Sequence, residues 1–557
     1  MSSNSLNGSI PSTFGDLKSL MLLDLGANQL SGGIPDALGD ASSLMLLFLD
    51  HNHFTDGGSE TWIPKFQLIH LVLAANNISG SLPPWISTQY NLILLEISEN
   101  QLWGTLPACT SLDSLEFINV AQNMLGGVIL PELFNLQLMK FLDFSQNLFA
   151  GSIPAERGNC INLIYLNVSY NNVNGEIPWS ITSLSRLQLL DLSNNQLTGI
   201  LPPHLANCTA LIYVYVGFNN FSRTIPTSLG VLKDLNYLML PNNKFRGLIS
   251  SAVHDLSRLS VLDLGANLLS GSFPEFVLNS SRLSVLILRG NKLWGTVPMG
   301  ISRLSMLEVL DLSGNRFHGV IPAQVGNIKG MQHSSGLYLP RHTRRDLLIN
   351  IDIYFNYKGK GREVKRLGYK LLDLSDNQFT GEIPSSLGSL YGLFSVNISW
   401  NNISGRIPQS FGNLGFLETL DISHNWLSGA IPSSLGSVST LAKIDVSYNK
   451  LCGRIPSGAQ FSTFDAEAFG NNSCLCGSPL PTTCLNISSS GFSPPLASQE
   501  EDDEEDEWKF LVGMGIGYVM GVVLILMGMY MSEGMTNLIL GSPVRGLPHY
   551  GVYRYPH

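Results

Sequence analysis

One asparagine that returns at a fixed interval constrains this chain more than any other feature. The segment Leu190–Pro202 reads LDLSNNQLTGILP, which gives the unit L-x-L-x-x-N-x-L-x-G-x-(I/L)-P. Its Asn recurs at Asn4, Asn28, Asn52, Asn76, Asn100, Asn123, Asn147, Asn171, Asn195, Asn219, Asn243, Asn267, Asn291 and Asn315, then at Asn377, Asn401, Asn425 and Asn449. That makes 18 units at a spacing of 24, with one step of 23. Such a period is too short for two helices and suits one short strand per turn of a stacked coil. The leucines then point inward. The Asn is placed where each coil turns a corner, because an amide can satisfy inward-facing backbone donors and acceptors repeat after repeat. Only 13% of the residues are charged and 44% are hydrophobic, with 54 Gly and 28 Pro, so neither coiled coil nor disorder is expected.

The recurring G-x-I-P ending resembles the plant-specific class of leucine-rich repeat. The resemblance implies an α/β solenoid with a parallel sheet on its concave face. The unit of Asn52 departs from the pattern: after this Asn it runs HFTDGGSETWIP, which predicts an irregular side loop. Between Asn315 and Asn377 the spacing is 62, one repeat plus 38 residues, so an insertion lies over roughly 330–368. From Met331 to Lys370 it carries nine basic residues (Arg341, Arg344, Arg345, Lys358, Lys360, Arg362, Lys365, Arg366 and Lys370) against Asp346, Asp352 and Glu363.

Four repeats after such an insertion, with the fragment IDIYFNYKGKGREV inside it, resemble the island domain of plant leucine-rich-repeat receptor-like proteins. The resemblance continues through RIPSGAQFSTFDAEAFGNNSCLCGSPLPTTC, an acidic run, a hydrophobic span and a short tail. It implies repeats over 1–329, the first incomplete, the island over 330–368 and four more repeats over 369–465. A cysteine-containing cap over 466–498, an acidic segment over 499–508, a transmembrane helix over 509–531 and a cytoplasmic tail over 532–557 would follow. The segment Phe510–Met531 holds 22 uncharged residues, about 33 Å as a helix, which matches a bilayer core. Within it, Gly513, Gly517 and Gly521 share one face, the small-residue arrangement that lets helices associate in lipid.

The formal charge of -10 carries little information about partners, since the octet Glu500–Glu507 supplies eight of those charges and leaves about -2. No broad basic surface of the kind nucleic acids require is present. Cys160 and Cys208 hold the same place two repeats apart, too far for a disulfide, and read as buried thiols. Cys452, Cys474, Cys476 and Cys484 suit a disulfide-stapled cap, with zinc as the competing reading. Resemblance pairs Cys476 with Cys484 and leaves the partners of Cys452 and Cys474 open. Sequons stand at Asn7, Asn77, Asn167, Asn207, Asn220, Asn279, Asn397, Asn402, Asn471 and Asn486, all before the hydrophobic span, as expected if that side is extracellular.

Chemistry is not indicated. Gly513, Gly515 and Gly517 spell G-x-G-x-G inside the hydrophobic span with no strand before it. Asp143, Asp191, Asp263, Asp311, Asp373, Asp421 and Asp445 recur four places before the repeating Asn, which reads as a solvated strand position without a partner base. No enzyme, metal or cofactor is expected. Binding is. Six places before the repeating Asn, Phe117, Phe141, Tyr165, Leu189, Tyr213 and Tyr237 follow one another, with Tyr215 beside them, and predict an exposed aromatic stripe that takes a peptide, protein or glycan ligand. Resemblance adds a co-receptor kinase docking on the island, through Arg344, Arg345 and Lys358, and on the last four repeats. It also adds a receptor kinase associated through the transmembrane helix, plasma-membrane location with an extracellular N-terminus, and a role in plant defence. A developmental peptide receptor and a truncated decoy are the alternatives. The opening MSSNSLNGSIP contains no signal peptide, so the sequence as written reads as N-terminally truncated.

Overall fold

A computed structural model describes residues 1–58, 62–155, 160–249, 256–333, 353–357, 360–364, 369–458 and 460–484. The expected transmembrane span with Gly513, Gly517 and Gly521, the acidic octet, Asn486, Arg344, Arg345 and Lys358 all lie outside the described residues. Among the described residues, no helix is long and apolar enough to cross a membrane.

Each unit after the first contributes three residues to one continuous parallel sheet, beginning at Leu22–Asp24 and running through strands such as Phe117–Asn119, Tyr165–Asn167 and Val309–Asp311 to Lys443–Asp445. Among the described residues the sheet is open: Leu22–Asp24 pairs only with Leu46–Phe48, and Lys443–Asp445 only with Thr419–Asp421. The middle residue of each strand, such as Leu166, Leu190 or Leu238, is fully buried in a core that runs the length of the solenoid. The first and third residues point to the other face, as strand alternation requires.

After the corner a second parallel strand forms, for example Asn172–Glu176 or Gln378–Glu382. Here the Gly of G-x-I-P is needed: Gly199 sits at φ 80°, where a side chain would be strained and would also run into Glu176. The helical side differs from the α/β expectation. It consists mostly of five-residue 3-10 turns such as Thr227–Val231 and Gln409–Asn413, these two with Pro at the N-cap, and the one α-helix among the described residues is Lys329–Gln332. Five residues between a proline and the next coil leave no room for α-helical propagation. The irregular unit of Asn52 packs its Trp62 against Phe66 and Trp85.

The repeating Asn bonds on both sides of its amide. Asn267 Oδ1 accepts from the Phe245 N–H at 3.0 Å, one coil earlier. Its Nδ2 faces the carbonyls of Leu240, Leu264 and Gly265 at 2.9, 3.2 and 3.1 Å. The residue just before each such Asn stands in the left-handed region, as at Tyr170, Phe218 and Trp400. That costs energy for non-glycine residues and persists because the amide bonds fix the corner. The series has one member that the repeat pattern does not reveal: Asn472 accepts from the Leu451 N–H and donates to Val446, so the cap carries a nineteenth corner. Its strand Cys474–Cys476 pairs with Lys450–Arg454, and disulfides join Cys452 to Cys474 and Cys476 to Cys484.

The insertion does not interrupt the stack. Val309–Asp311 pairs in register with Leu371–Asp373, and the Phe317 N–H reaches Asn377 Oδ1 at 2.9 Å across 60 residues. Within the insertion, Ile353–Tyr357 and Lys360–Val364 form an antiparallel hairpin. Two expectations about its limits need correction. Met331 belongs to the core, and Lys370 is not a surface base: it is almost fully buried, its Nζ donating to the carbonyls of Gly330 and His333 and lying 3.8 Å from Glu308 Oε1. It ties the two ends of the insertion together.

Replacing Asn267 by Ala should destabilise the protein by about 3 kcal/mol, because buried backbone groups on two coils lose their partner. Asn267→Asp should cost a comparable amount, since a carboxylate cannot donate to three carbonyls. Thermal unfolding of the two variants checks this; an Asp variant as stable as wild type would show that the donor side of the amide is dispensable.

Candidate functional site

The three first-position rings Phe117, Phe141 and Tyr165 are half-buried and stack along the sheet, with centroids 4.2 and 4.1 Å apart and planes within 9° and 16°. Parallel strands bring identical positions within one stacking distance of one another, so the row follows from the register. Beyond Tyr165 the expected exposed stripe is not exposed. Leu189, Tyr213, Tyr215 and Tyr237 are buried in a second apolar cluster with Met239, Val261, Val285, Ile287, Val309 and Leu371. Their bulk accounts for part of this: Tyr213 packs 6.4 Å from Tyr215 and 5.7 Å from Tyr237, so neighbouring rings cover one another.

The third strand position carries a polar row beside the rings: Glu96, Asn119, Asp143, Asn167 and Asp191, acid alternating with amide. Asp143 Oδ1 accepts from the Ser145 N–H and hydroxyl at 2.9 and 2.6 Å, while Oδ2 accepts from the Tyr165 hydroxyl at 3.0 Å and from Asn167 Nδ2 at 3.3 Å. Glu96 is held likewise by Ser98 and by Asn119 Nδ2 at 3.0 Å. Rings and polar row together line an open groove of about 630 Å³ that extends to Tyr213 and Tyr215.

The recurring Asp, expected to be solvated, also needs correction. Asp143, Asp263, Asp311 and Asp373 are buried. Asp143, Asp263, Asp311, Asp373, Asp421 and Asp445 each accept from the backbone N–H two residues on, so the row closes the corner rather than standing free in solvent. Burial pushes the carboxyls of Glu96, Asp143, Asp311 and Asp421 above their ordinary range, and those of Asp263 and Asp373 up to about 7. Glu308 likewise rises to about 7 through burial, which outweighs its attraction to Lys370.

A second aromatic column is not among the expected sites. Trp400, His424 and Tyr448 occupy the left-handed corner position of the repeats after the insertion and stack at 3.7 and 4.1 Å with both outer rings exposed. Its signal in the sequence is an aromatic residue directly before the repeating Asn. Of the sequons, Asn7, Asn77, Asn207, Asn220, Asn279, Asn402 and Asn471 are exposed, whereas Asn167 and Asn397 lie in the polar row with their amides bonded to Asp143 and Asp373. Cys109, Cys160 and Cys208 are buried thiols, raised by burial to about 12, 12 and 11.

Leucine-rich-repeat family models match residues 1–54 and the segments 162–184, 186–208, 306–328, 370–390, 392–414 and 416–438. No curated protein matches the chain. Among solved structures it is similar to the leucine-rich-repeat ectodomain of the plant membrane receptor kinase GASSHO1/SCHENGEN3 from Arabidopsis thaliana, in complex with CASPARIAN STRIP INTEGRITY FACTOR 2. The TM-score is 0.72 at 31% identity, over 87% of this chain and 56% of that one. It therefore spans little more than half of that ectodomain. It is also similar to the Arabidopsis receptor kinase HAESA in complex with the peptide hormone IDA and the co-receptor SERK1, with TM-score 0.68 and 28% identity over 88% of this chain and 78% of that one. A third is the plant peptide hormone receptor RGFR1 in complex with RGF2, with 0.63, 26%, 85% and 81%. The fold is thus that of plant leucine-rich-repeat receptor ectodomains.

Two outcomes follow from this geometry. A carboxyl whose pKa is raised in the folded state binds its proton more tightly there than in the unfolded chain. The protein should therefore gain stability as pH falls from about 7 toward 4, by up to about 1.4 kcal/mol per pH unit for each such group. Melting temperature should be higher at pH 5 than at pH 8, and Asp263→Asn with Asp373→Asn should flatten the difference. A maximum at pH 8 would contradict it. Glycopeptide mass spectrometry should find glycan at Asn207 and not at Asn167 or Asn397.

Proposed function

We propose that this chain is the ligand-recognition part of a plant cell-surface receptor that lacks a kinase, is anchored by the span Phe510–Met531, and signals through an associated receptor kinase in defence against microbes. The observation that carries the reading is the groove formed by Phe117, Phe141 and Tyr165 beside the polar row, on a fold shared with ectodomains solved in complex with peptides. A rigid sheet that presents rings beside a polar row is suited to binding. That two of those ectodomains hold peptide hormones favours a second reading, an endogenous developmental peptide as ligand.

The repeats after the insertion are assigned to a co-receptor kinase, on the exposed column of Trp400, His424 and Tyr448 rather than on charge alone. Rings that stand out of a rigid corner lose little freedom on contact, which is why they serve as anchors. Arg344, Arg345 and Lys358 would add charge complementarity, acting chiefly on association rate. Gly513, Gly517 and Gly521 are assigned to the receptor kinase that supplies catalysis.

Phe117→Ala with Phe141→Ala in the full chain should reduce ligand-induced responses at least tenfold at unchanged surface level, measured by surface biotinylation. An undiminished response would remove the groove from the mechanism. Trp400→Ala with Tyr448→Ala should abolish ligand-dependent recovery of the co-receptor while ligand binding stays intact. Deleting 334–365, which spares Met331, separates an active island from a spacer. Gly517→Leu with Gly521→Leu should sharply lower co-purification of the receptor kinase, and wild-type recovery would place that contact elsewhere.

A further inference from the structure

We infer that the groove selects a cationic ligand, an extended peptide segment that carries arginine or lysine side chains over Glu96 and Asp143. The inference rests on the receptor reading above and deepens it.

The starting point is what the fold does not require. At the third strand position the side-chain oxygen accepts from the backbone N–H two residues on. Asp143 does this for Ser145, but Asn119 does it equally for Ala121 at 3.0 Å, Asn167 for Ser169 at 3.0 Å and Asn397 for Ser399 at 3.1 Å. An amide therefore closes this corner as well as a carboxylate. Asp143 is nonetheless an acid, in a place where burial disfavours its charged form. The same buried acid recurs outside the groove at Asp263, Asp311 and Asp373, so the reason to assign Asp143 a ligand lies in what surrounds it.

The surroundings supply the reason. The groove is lined by four acids, Glu96, Glu99, Asp143 and Asp191, and among the described residues that line it none is Lys or Arg. The net charge along the groove is about -4 by that count. The two amides between the acids keep the carboxylates one repeat-pair apart, about 10 Å at two strand spacings. In the polyproline-II form of an extended chain, three residues make one turn of about 9 Å, so a cationic residue at every third place lies on one face and meets successive carboxylates when the segment runs along the solenoid axis. The ring edges of Phe117 and Phe141 lie beside that line and suit the aliphatic stems of Lys and Arg, whose charged heads then reach the acids. Charge complementarity of this kind sets partner choice and association rate.

The test pans a display library of random dodecapeptides against the full chain, solubilised and captured through a C-terminal tag. It does so in parallel against the double variant Glu96→Gln with Asp143→Asn and against Phe117→Ala with Phe141→Ala. Neighbouring repeats carry Asn at the place of Asp143, so the charge variant should stay folded, which its melting curve checks before panning. Peptides recovered on the wild type should be at least threefold enriched in Arg and Lys over those recovered on the charge variant, and their affinity should fall as salt is raised from 50 to 300 mM. The ring variant should recover few peptides of any charge. Recovery of peptides that depend on the rings but show no basic enrichment would overturn the cationic assignment and leave the receptor reading standing. Recovery of none on the wild type, with folded protein on the support, would overturn both.

Discussion

The solenoid depends on one side chain used repeatedly. A carboxamide at each corner accepts from the coil before it and shares its two N–H groups among three carbonyls, two of its own coil and one of the previous coil, as Asn267 and Asn195 do. Because the bonds reach back to the preceding unit, every coil is locked to its neighbour by the same residue that allows it to turn. The left-handed residue before the Asn, the inward leucines and the strand register all follow from that fixed corner. A solenoid built this way has a nearest-neighbour energy, and local damage propagates only as far as the adjacent coils.

Much of this architecture is legible in the amino-acid sequence. The period, the strand and corner positions and the seat of the insertion follow from spacing, since a repeat states the same constraint many times. The rest lies where a residue leaves the period or where burial depends on packing across coils. Asn472 hides because the residues after it, Ser473 and Cys474, break the pattern. Lys370 resembles one more base of the insertion, yet it sits at the first strand of the resumed stack, where an ammonium ends up bonded to the carbonyls of Gly330 and His333. Alternation places the Asp row on the open face and so suggests solvation, but alternation says nothing about neighbours such as Ser313 or Ser375 closing over it.

The same face divides into two unlike stretches. Toward the N-terminal side the rings stand half out of the sheet beside bonded acids and amides. Toward the insertion, Val261, Val285 and Ile287 are wholly buried and the acids among them, Asp263 and Asp373, titrate near neutrality. Identical register thus yields opposite surfaces. The difference lies in which residues occupy two positions per strand, so repeats of this kind can change recognition without touching the scaffold.

The insertion shows how lightly the scaffold takes such changes. For most coils the corner bond closes a loop of 22 residues; at the seam it closes one of 60. Loop-closure entropy grows only with the logarithm of length, so the longer loop costs about 0.9 kcal/mol, roughly fivefold in the closing equilibrium. That is less than a single missing corner amide. Folding that spreads coil by coil from either side would pause briefly at this seam and then continue, which makes it the natural place for a stacked chain to acquire new sequence.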